Sequence, residues 1–262
     1  MAQNKRDIVI YMPAYNVENT IEELLLRLER IRNEISLLNC QITKVIIVDD
    51  GSTDKTEDKV KKTEKKVGFE IEYVKKEKNE GPISAIKEGL SRAIKEQKDD
   101  QGIIVRMDSD LEHLPEDLPR MIKPIIENEA EAVVGEMPID TRNGVGFYLF
   151  NKIIGTMESK KYLNMKIAQF CPGFLALSSK NIENIRNEVF LLDQKFQKKY
   201  RKEMLGWDFI ILVLIKRKLG KIQKIELKTI EEKYIKKQQW EKIQKYYQYH
   251  KMTTQFLDKE LP

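Results

Sequence analysis

The sequence predicts an α/β fold with a mostly parallel sheet flanked by helices. Three observations carry this. Short apolar runs alternate with amphipathic stretches from Ile8 to Glu136. Two of those runs end directly in acidic clusters, DDGSTD and DSDLEH. The chain has 262 residues, 41% hydrophobic and 34% charged, which allows a sizeable core under a heavily charged surface.

IVIYM (Ile8 to Met12) reads as a buried strand. A helix is predicted from about Glu18 to Leu38, because Ile21, Leu24, Leu25, Leu28, Ile31, Ile35 and Leu38 recur at helical spacing. KVIIVDD (Lys44 to Asp50) is a second strand. The stretch after it opens with helix-capping residues, among them Ser52 and Thr53, and continues as a polar-faced helix. EIEYVKK alternates like a third strand, and a helix spans roughly Pro82 to Gln97. GIIVRM (Gly102 to Met107) is a fourth strand, a helix follows LPED, and EAVVGE is a fifth strand. Beyond Gly135 the rhythm changes. RNGVGFYLFNKIIGTMESKKYL reads as loop plus helix, and CPGFLALS as a strand entered through a Pro-Gly turn. KFQKKYRK (Lys195 to Lys202) reads as a solvated loop. GWDFIILVLIKRKLGKIQKIEL reads as a buried helix, a Gly220 stop and a last strand. A Lys/Gln/Tyr-rich helix is predicted from about Glu231.

Two distant cysteines, Cys40 and Cys171, form no disulfide framework or zinc spacing, which points to a reducing compartment. The first residues lack a signal-peptide core, and the longest apolar run, Phe209 to Ile215, is too short to cross a bilayer. The expectation is a cytoplasmic protein, at most peripheral at a membrane. Net charge is +5. Lys216 to Pro262 carries 13 Lys and Arg against 6 Asp and Glu, so the basic excess belongs to the C-terminal segment. No nucleic-acid motif accompanies it, and no nucleic-acid partner is expected.

In open α/β sheets, ligands bind beyond the carboxyl ends of the strands, where both acidic clusters fall. Asp108, Asp110 and Glu112 alternate, so an extended chain would present all three carboxylates together. Gathered carboxylates repel unless a cation relieves them, and hard oxygen ligands suit Mg²⁺ or Mn²⁺ holding a ligand diphosphate. The alternative is a chance D-x-D in an acid-rich chain. VDDGSTD has its own alternative, a turn with a helix cap, and only one of Asp49 and Asp50 needs a functional role. Arg142 in DTRNGVG would suit a diphosphate. His113 reads as a structural residue at a helix entry.

PAYNVENT, VIIVDDGSTDKT, IVRMDSDLEHLPEDLP and GWDFIILVLIKRKLGKI, in that order, resemble the motifs of family 2 glycosyltransferases of the GT-A fold, over roughly residues 8 to 228. DSDLEHLPE and PGFLALS look like segments of the polyprenol-phosphate (dolichol-phosphate) sugar transferase branch. The resemblance implies a GT-A domain over 1–230, with 231–262 a basic helical extension. It implies a metal-dependent hexosyl transfer from a GDP- or UDP-sugar to a lipid phosphate or a small soluble acceptor. Pro13, Tyr15 and Glu18 would line the base and ribose, and Asp50 would hydrogen-bond one of them. Asp108 would sit near ribose and metal, with Asp110 the principal metal ligand. Glu112 stands where that branch often has Gln. Asp208 matches the acid of the family's E-D motif, and is the candidate base. Many GT-A enzymes use a late histidine as a metal ligand, a place His250 would take. The sequence departs from the pattern at Trp207, which replaces the Glu of E-D, and at Ile210 to Val213, which replace polar residues of the lipid-phosphate branch. The basic tail would let the enzyme make a peripheral contact with anionic lipid; against the enzyme stands a catalytically inactive, nucleotide-binding relative acting as an interaction protein through its basic tail.

Overall fold

The computed structural model describes residues 5–137, 145–167, 172–180, 182–204, 206–228 and 240–261. β1 (Arg6–Ala14), β2 (Cys40–Asp49), β3 (Glu70–Lys75) and β4 (Ile103–Met107) form a parallel sheet in the order β3-β2-β1-β4. β6 (Phe174–Ser178) continues it antiparallel to β4. β5 (Ala132–Glu136) joins β6, and β7 (Ile222–Glu226) joins β5 in parallel. The resulting order is β3-β2-β1-β4-β6-β5-β7, mostly parallel as the sequence predicts.

Both faces are covered, which is why the strands read as continuous apolar runs. Ile8, Ile10 and Met12 of β1 face α1 (Ile21–Arg30), α2 (Arg32–Leu37) and α5 (Leu118–Ile126). Val9 and Tyr11 face the other layer, built from α4 (Pro82–Glu96), α7 (Ile182–Tyr200) and α8 (Trp207–Leu219). α3 (Thr56–Glu64) and α6 (Val145–Leu163) complete the helices up to α7. Trp207 to Ile215 are buried without a break, so FIILVLI is core. Gly220, at φ +77°, closes α8 in the left-handed conformation glycine tolerates.

Several expectations need correction. The helix expected over Glu18–Leu38 begins at Ile21 and divides at Ile31 into α1 and α2. The helix after β2 starts at Thr56, where Asp54 accepts from the Thr56 amide at 3.0 Å, so the turn-closing acid is Asp54 rather than Ser52 or Thr53. KFQKKYRK is not a loop: Lys195 to Tyr200 are the last turns of α7. Phe196 fixes those turns, fully buried and edge-on to Phe256 at 5.3 Å. That partner lies in α9 (Trp240–Glu260), whose end is held to the body by buried Phe256 and Leu257 and by a Lys195–Glu260 ion pair at 2.7 Å. The start expected at Glu231 lies outside the described residues, as does the side chain of His250. Among the described residues no helix is long and apolar enough to cross a membrane.

Candidate active site

A cleft of about 290 Å³ opens at the carboxyl ends of β1, β2 and β4. Pro13, Tyr15, Asp50, Asp108 and Asp110, all expected from the sequence, line it. Asn79, Pro82, Ala85 and Ser109 complete much of the remaining wall.

The two acids that end β2 divide their work. Asp49 is fully buried and accepts hydrogen bonds from the Ser52 amide at 2.7 Å and from the Tyr73 hydroxyl. It closes a turn. Asp50 lines the cleft, and its carboxylate accepts from the Glu80 and Gly81 amides at 3.1 and 2.7 Å, with Lys76 Nζ at 3.4 Å. This clamps the loop before α4 to the end of β2. Each carboxylate oxygen has two lone pairs, so acceptor capacity remains for a ligand. Glu18 lies beside the cleft lining: its carboxylate accepts from the Lys55 amide at 2.9 Å, bracing the start of α3.

The chain does not stay extended past β4, so the acidic triplet is not presented as an alternating row. Leu111 adopts φ +62°, and the Glu112 amide donates back to Asp110 Oδ1 at 3.2 Å. Among the described residues no three His, Cys, Asp or Glu side chains gather as a metal-holding group. Asp108 and Asp110 line the cleft, and Glu112 is not among its lining residues. The loop is pinned by Ser109, whose Oγ donates to the Pro13 carbonyl at 2.6 Å, and by Thr20, whose Oγ1 donates to the Ser109 carbonyl at 2.9 Å.

Asp208, in the first turn of α8, is buried behind this cleft. Arg106 of β4 lies between it and Asp108: Nη2 to Asp108 Oδ1 is 2.8 Å, and Nε to Asp208 Oδ2 is 3.4 Å. Burial pushes the Asp208 carboxyl up to about 6, with Arg106 opposing the rise and Asp108 adding to it. Among the described residues its Oδ1 has no hydrogen-bond partner. Burial also holds the Tyr11 hydroxyl well above its usual range, and the Asp208 charge adds to that. His113 is buried with Nδ1 3.6 Å from Asp108 Oδ2, and burial lowers its pKa against the pull of that carboxylate.

Two participants escaped sequence reasoning. Arg106 passed as one residue of an apolar strand, although a charge inside a buried strand signals an acid partner. Gly173 passed as half of a turn. A Cβ there would stand 2.0 Å from Asp108 Oδ2 and 2.2 Å from His113 Cε1, so the backbone fits against the acid only without a side chain. Arg142 lies outside the described residues.

A doubly covered sheet with an acid-lined cleft at its strand ends, and one antiparallel strand inserted beside β4, defines a protein of the GT-A class. The chain belongs to glycosyl transferase family 2, whose pattern matches residues 9–186. It is 26% identical over 223 residues to a dolichol-phosphate mannosyltransferase of Pyrococcus furiosus, covering 83% of this chain and 55% of that protein. It is 32% identical over 139 residues to a UDP-N-acetylglucosamine–dolichyl-phosphate N-acetylglucosaminyltransferase of Methanococcus voltae, covering 49% of this chain and 51% of that one. The chain spans about half the length of the curated relatives it matches. In fold it resembles glucosyl-3-phosphoglycerate synthase of Mycobacterium tuberculosis, at TM-score 0.62 and 19% identity over 97% of this chain and 79% of that one. That enzyme has also been solved with Mn²⁺, uridine diphosphate and phosphoglyceric acid; this form matches at TM-score 0.58 and 20% identity over 91% of this chain and 74% of that one.

Proposed function

We propose that this chain is a metal-dependent glycosyltransferase that moves a sugar from a nucleotide-diphosphate sugar to a phosphate-bearing lipid acceptor. The observation that carries the reading is one cleft with Asp50 on one side, Asp108 and Asp110 on the other, and the buried acid Asp208 behind. The nucleoside would lie between Pro13, Tyr15 and Asp50. Mg²⁺ or Mn²⁺ suits the donor set, since such ions take one or two carboxylates and complete their shell with phosphate and water. Asp110 would be the main ligand and Asp108 the second, because one Asp108 oxygen is already engaged by Arg106. When bound, the ion supplies Lewis-acid stabilisation of the leaving diphosphate.

The protein's own groups have separable tasks. Asp50 fixes the loop that walls the nucleotide side. Tyr15, half exposed, offers an aromatic face at the cleft mouth. Asp208 would steer the acceptor phosphate and accept the proton of its monoanionic form, since a carboxyl near pKa 6 is ionised at neutral pH yet basic enough to receive one. A lipid phosphate is favoured as acceptor because relatives across the matched region are named for dolichyl- and undecaprenyl-phosphate transfer. The basic tail supports a peripheral contact with anionic lipid.

Calorimetry with Mn²⁺ and uridine or guanosine diphosphate tests the donor side. Transfer from the corresponding nucleotide sugars to polyprenyl phosphate, with 3-phosphoglycerate as soluble control, tests the acceptor. Binding of neither diphosphate in the presence of metal would overturn the glycosyltransferase reading. Transfer only to the soluble acceptor would overturn the lipid assignment, and so would failure to sediment with anionic vesicles at low salt.

A further inference from the structure

We infer that Arg106 is a positioning residue for transfer: its guanidinium fixes the Asp208 carboxylate relative to the donor-side acid Asp108. The inference rests on the proposed function and adds a residue to it.

Arg106 sits within β4, opposite Tyr11 of β1, and is 5% exposed. Its strand neighbours are apolar: Ile103, Ile104, Val105 and Met107 are all fully buried. A methionine would fill that place without the desolvation cost of a guanidinium, which good partners must offset. One carboxylate would suffice to neutralise the charge. Arg106 instead meets two, from segments far apart in sequence, and donates Nη1 to the Pro172 carbonyl at 3.5 Å. The contacts are unequal. The Asp108 pair is tight at 2.8 Å. At 3.4 Å the Asp208 pair is an ion pair without a formed hydrogen bond at Nε, and Asp208 Oδ1 has no partner among the described residues. Asp208 is thus steered by charge while one oxygen keeps its acceptor capacity. A planar fork can address two carboxylates in fixed directions, and an ammonium cannot.

Arg106 therefore acts on turnover through Asp208, beyond what its pair with Asp108 contributes to the donor side. The test is a cycle of Arg106→Gln, Asp208→Asn and the double variant, with Arg106→Lys as the conservative change. Folding is checked by thermal melts, and binding by calorimetry with Mn²⁺ and uridine or guanosine diphosphate. Turnover is read with whichever of UDP-glucose, UDP-N-acetylglucosamine or GDP-mannose the wild type uses. Expected is a kcat loss of about 10²-fold in Arg106→Gln, exceeding whatever nucleotide affinity is lost through the Asp108 pair. In the Asp208→Asn background the same change adds less than about 3-fold, because residues acting as a unit are non-additive. Arg106→Lys recovers part of the loss. Fully additive losses, or a Kd loss that accounts for the whole drop, would overturn the inference. Inactive Asp208→Asn with active Arg106→Gln removes Arg106 alone, whereas fully active Asp208→Asn removes the base assignment as well. Should the wild type turn over no donor, the contact is read without substrate. In a ¹³C carboxyl titration Arg106→Gln raises the Asp208 midpoint, and an unchanged midpoint overturns the inference.

Discussion

The Gly81 amide donates to Asp50 Oδ2 at 2.7 Å, and this hydrogen bond joins the end of β2 to the start of α4. Gly81 has φ +97°, a conformation side chains rarely adopt, so the loop's path and the acid that anchors it are matched. Asp50→Ala removes acceptors for two backbone amides and for Lys76 at once. We expect faster hydrogen exchange at Glu80 and Gly81 and at least about 10-fold weaker nucleotide binding, since a lost charge-assisted bond costs roughly 1.5–3 kcal/mol. Unchanged exchange at both amides would show that the clamp carries no weight.

Asp110→Ala should abolish metal-dependent binding of a nucleoside diphosphate while leaving the melting temperature close to wild type. The residue is half-buried on the cleft, outside the apolar core. Calorimetry with and without Mn²⁺ checks it. Equal affinity in the variant would take the metal away from this loop.

Gly173→Ala should be more damaging than its size suggests. The added Cβ meets Asp108 Oδ2 at 2.0 Å and Nη1 of the buried Arg106 at 2.9 Å. Overpacking of this kind costs about 1–3 kcal/mol, and here it also displaces a cleft acid. Denaturant titration should show the stability loss, and metal-dependent nucleotide binding should weaken with it. Wild-type values for both would mean that the loop yields freely.

Asp208 links stability to pH with an unusual sign. Its carboxyl rises to about 6 in the fold, against roughly 4 in an unfolded chain. The folded state binds this proton more tightly, so wild-type stability falls as pH climbs through that window and stays lowered above it. Asp208→Asn escapes the penalty. It should be more stable than wild type at pH 7.5, by on the order of 2 kcal/mol, with the gap closing near pH 4. It should also lose turnover by about 10²-fold and lose the acid limb near pH 6 from kcat/KM. Melts at the two pH values check the first half. A variant less stable at pH 7.5 would contradict it.

Much of this was legible because burial leaves a plain mark. Ile8 to Met12, Lys44 to Asp49 and Ile103 to Met107 read as strands since both faces of the sheet are covered. The placement of Asp50, Asp108 and Asp110 at one cleft followed from their positions at strand ends. The strand order did not follow: nothing in FLALS says that it inserts antiparallel between β4 and β5. The loop reading of Lys195 to Lys202 failed because local charge hid Phe196, whose burial depends on a helix sixty residues on. The row of three acids failed at Leu111, where a left-handed residue, uncommon outside glycine, redirects the chain.

The position of β6 also sets an order of assembly. β3, β2, β1 and β4 can pair among themselves as soon as Met107 has been made. β5 is made next, but it has no place against β4; it pairs with β6 and β7, both later in the chain. During synthesis the growing edge of the sheet therefore stands open until Phe174–Ser178 emerges, and an open edge invites pairing with other chains. The same strand carries in Gly173 beside Asp108. Protection of the nascent sheet and the backing of Asp108 thus fall to one late segment, and a polypeptide interrupted before it would hold most of its acids with neither.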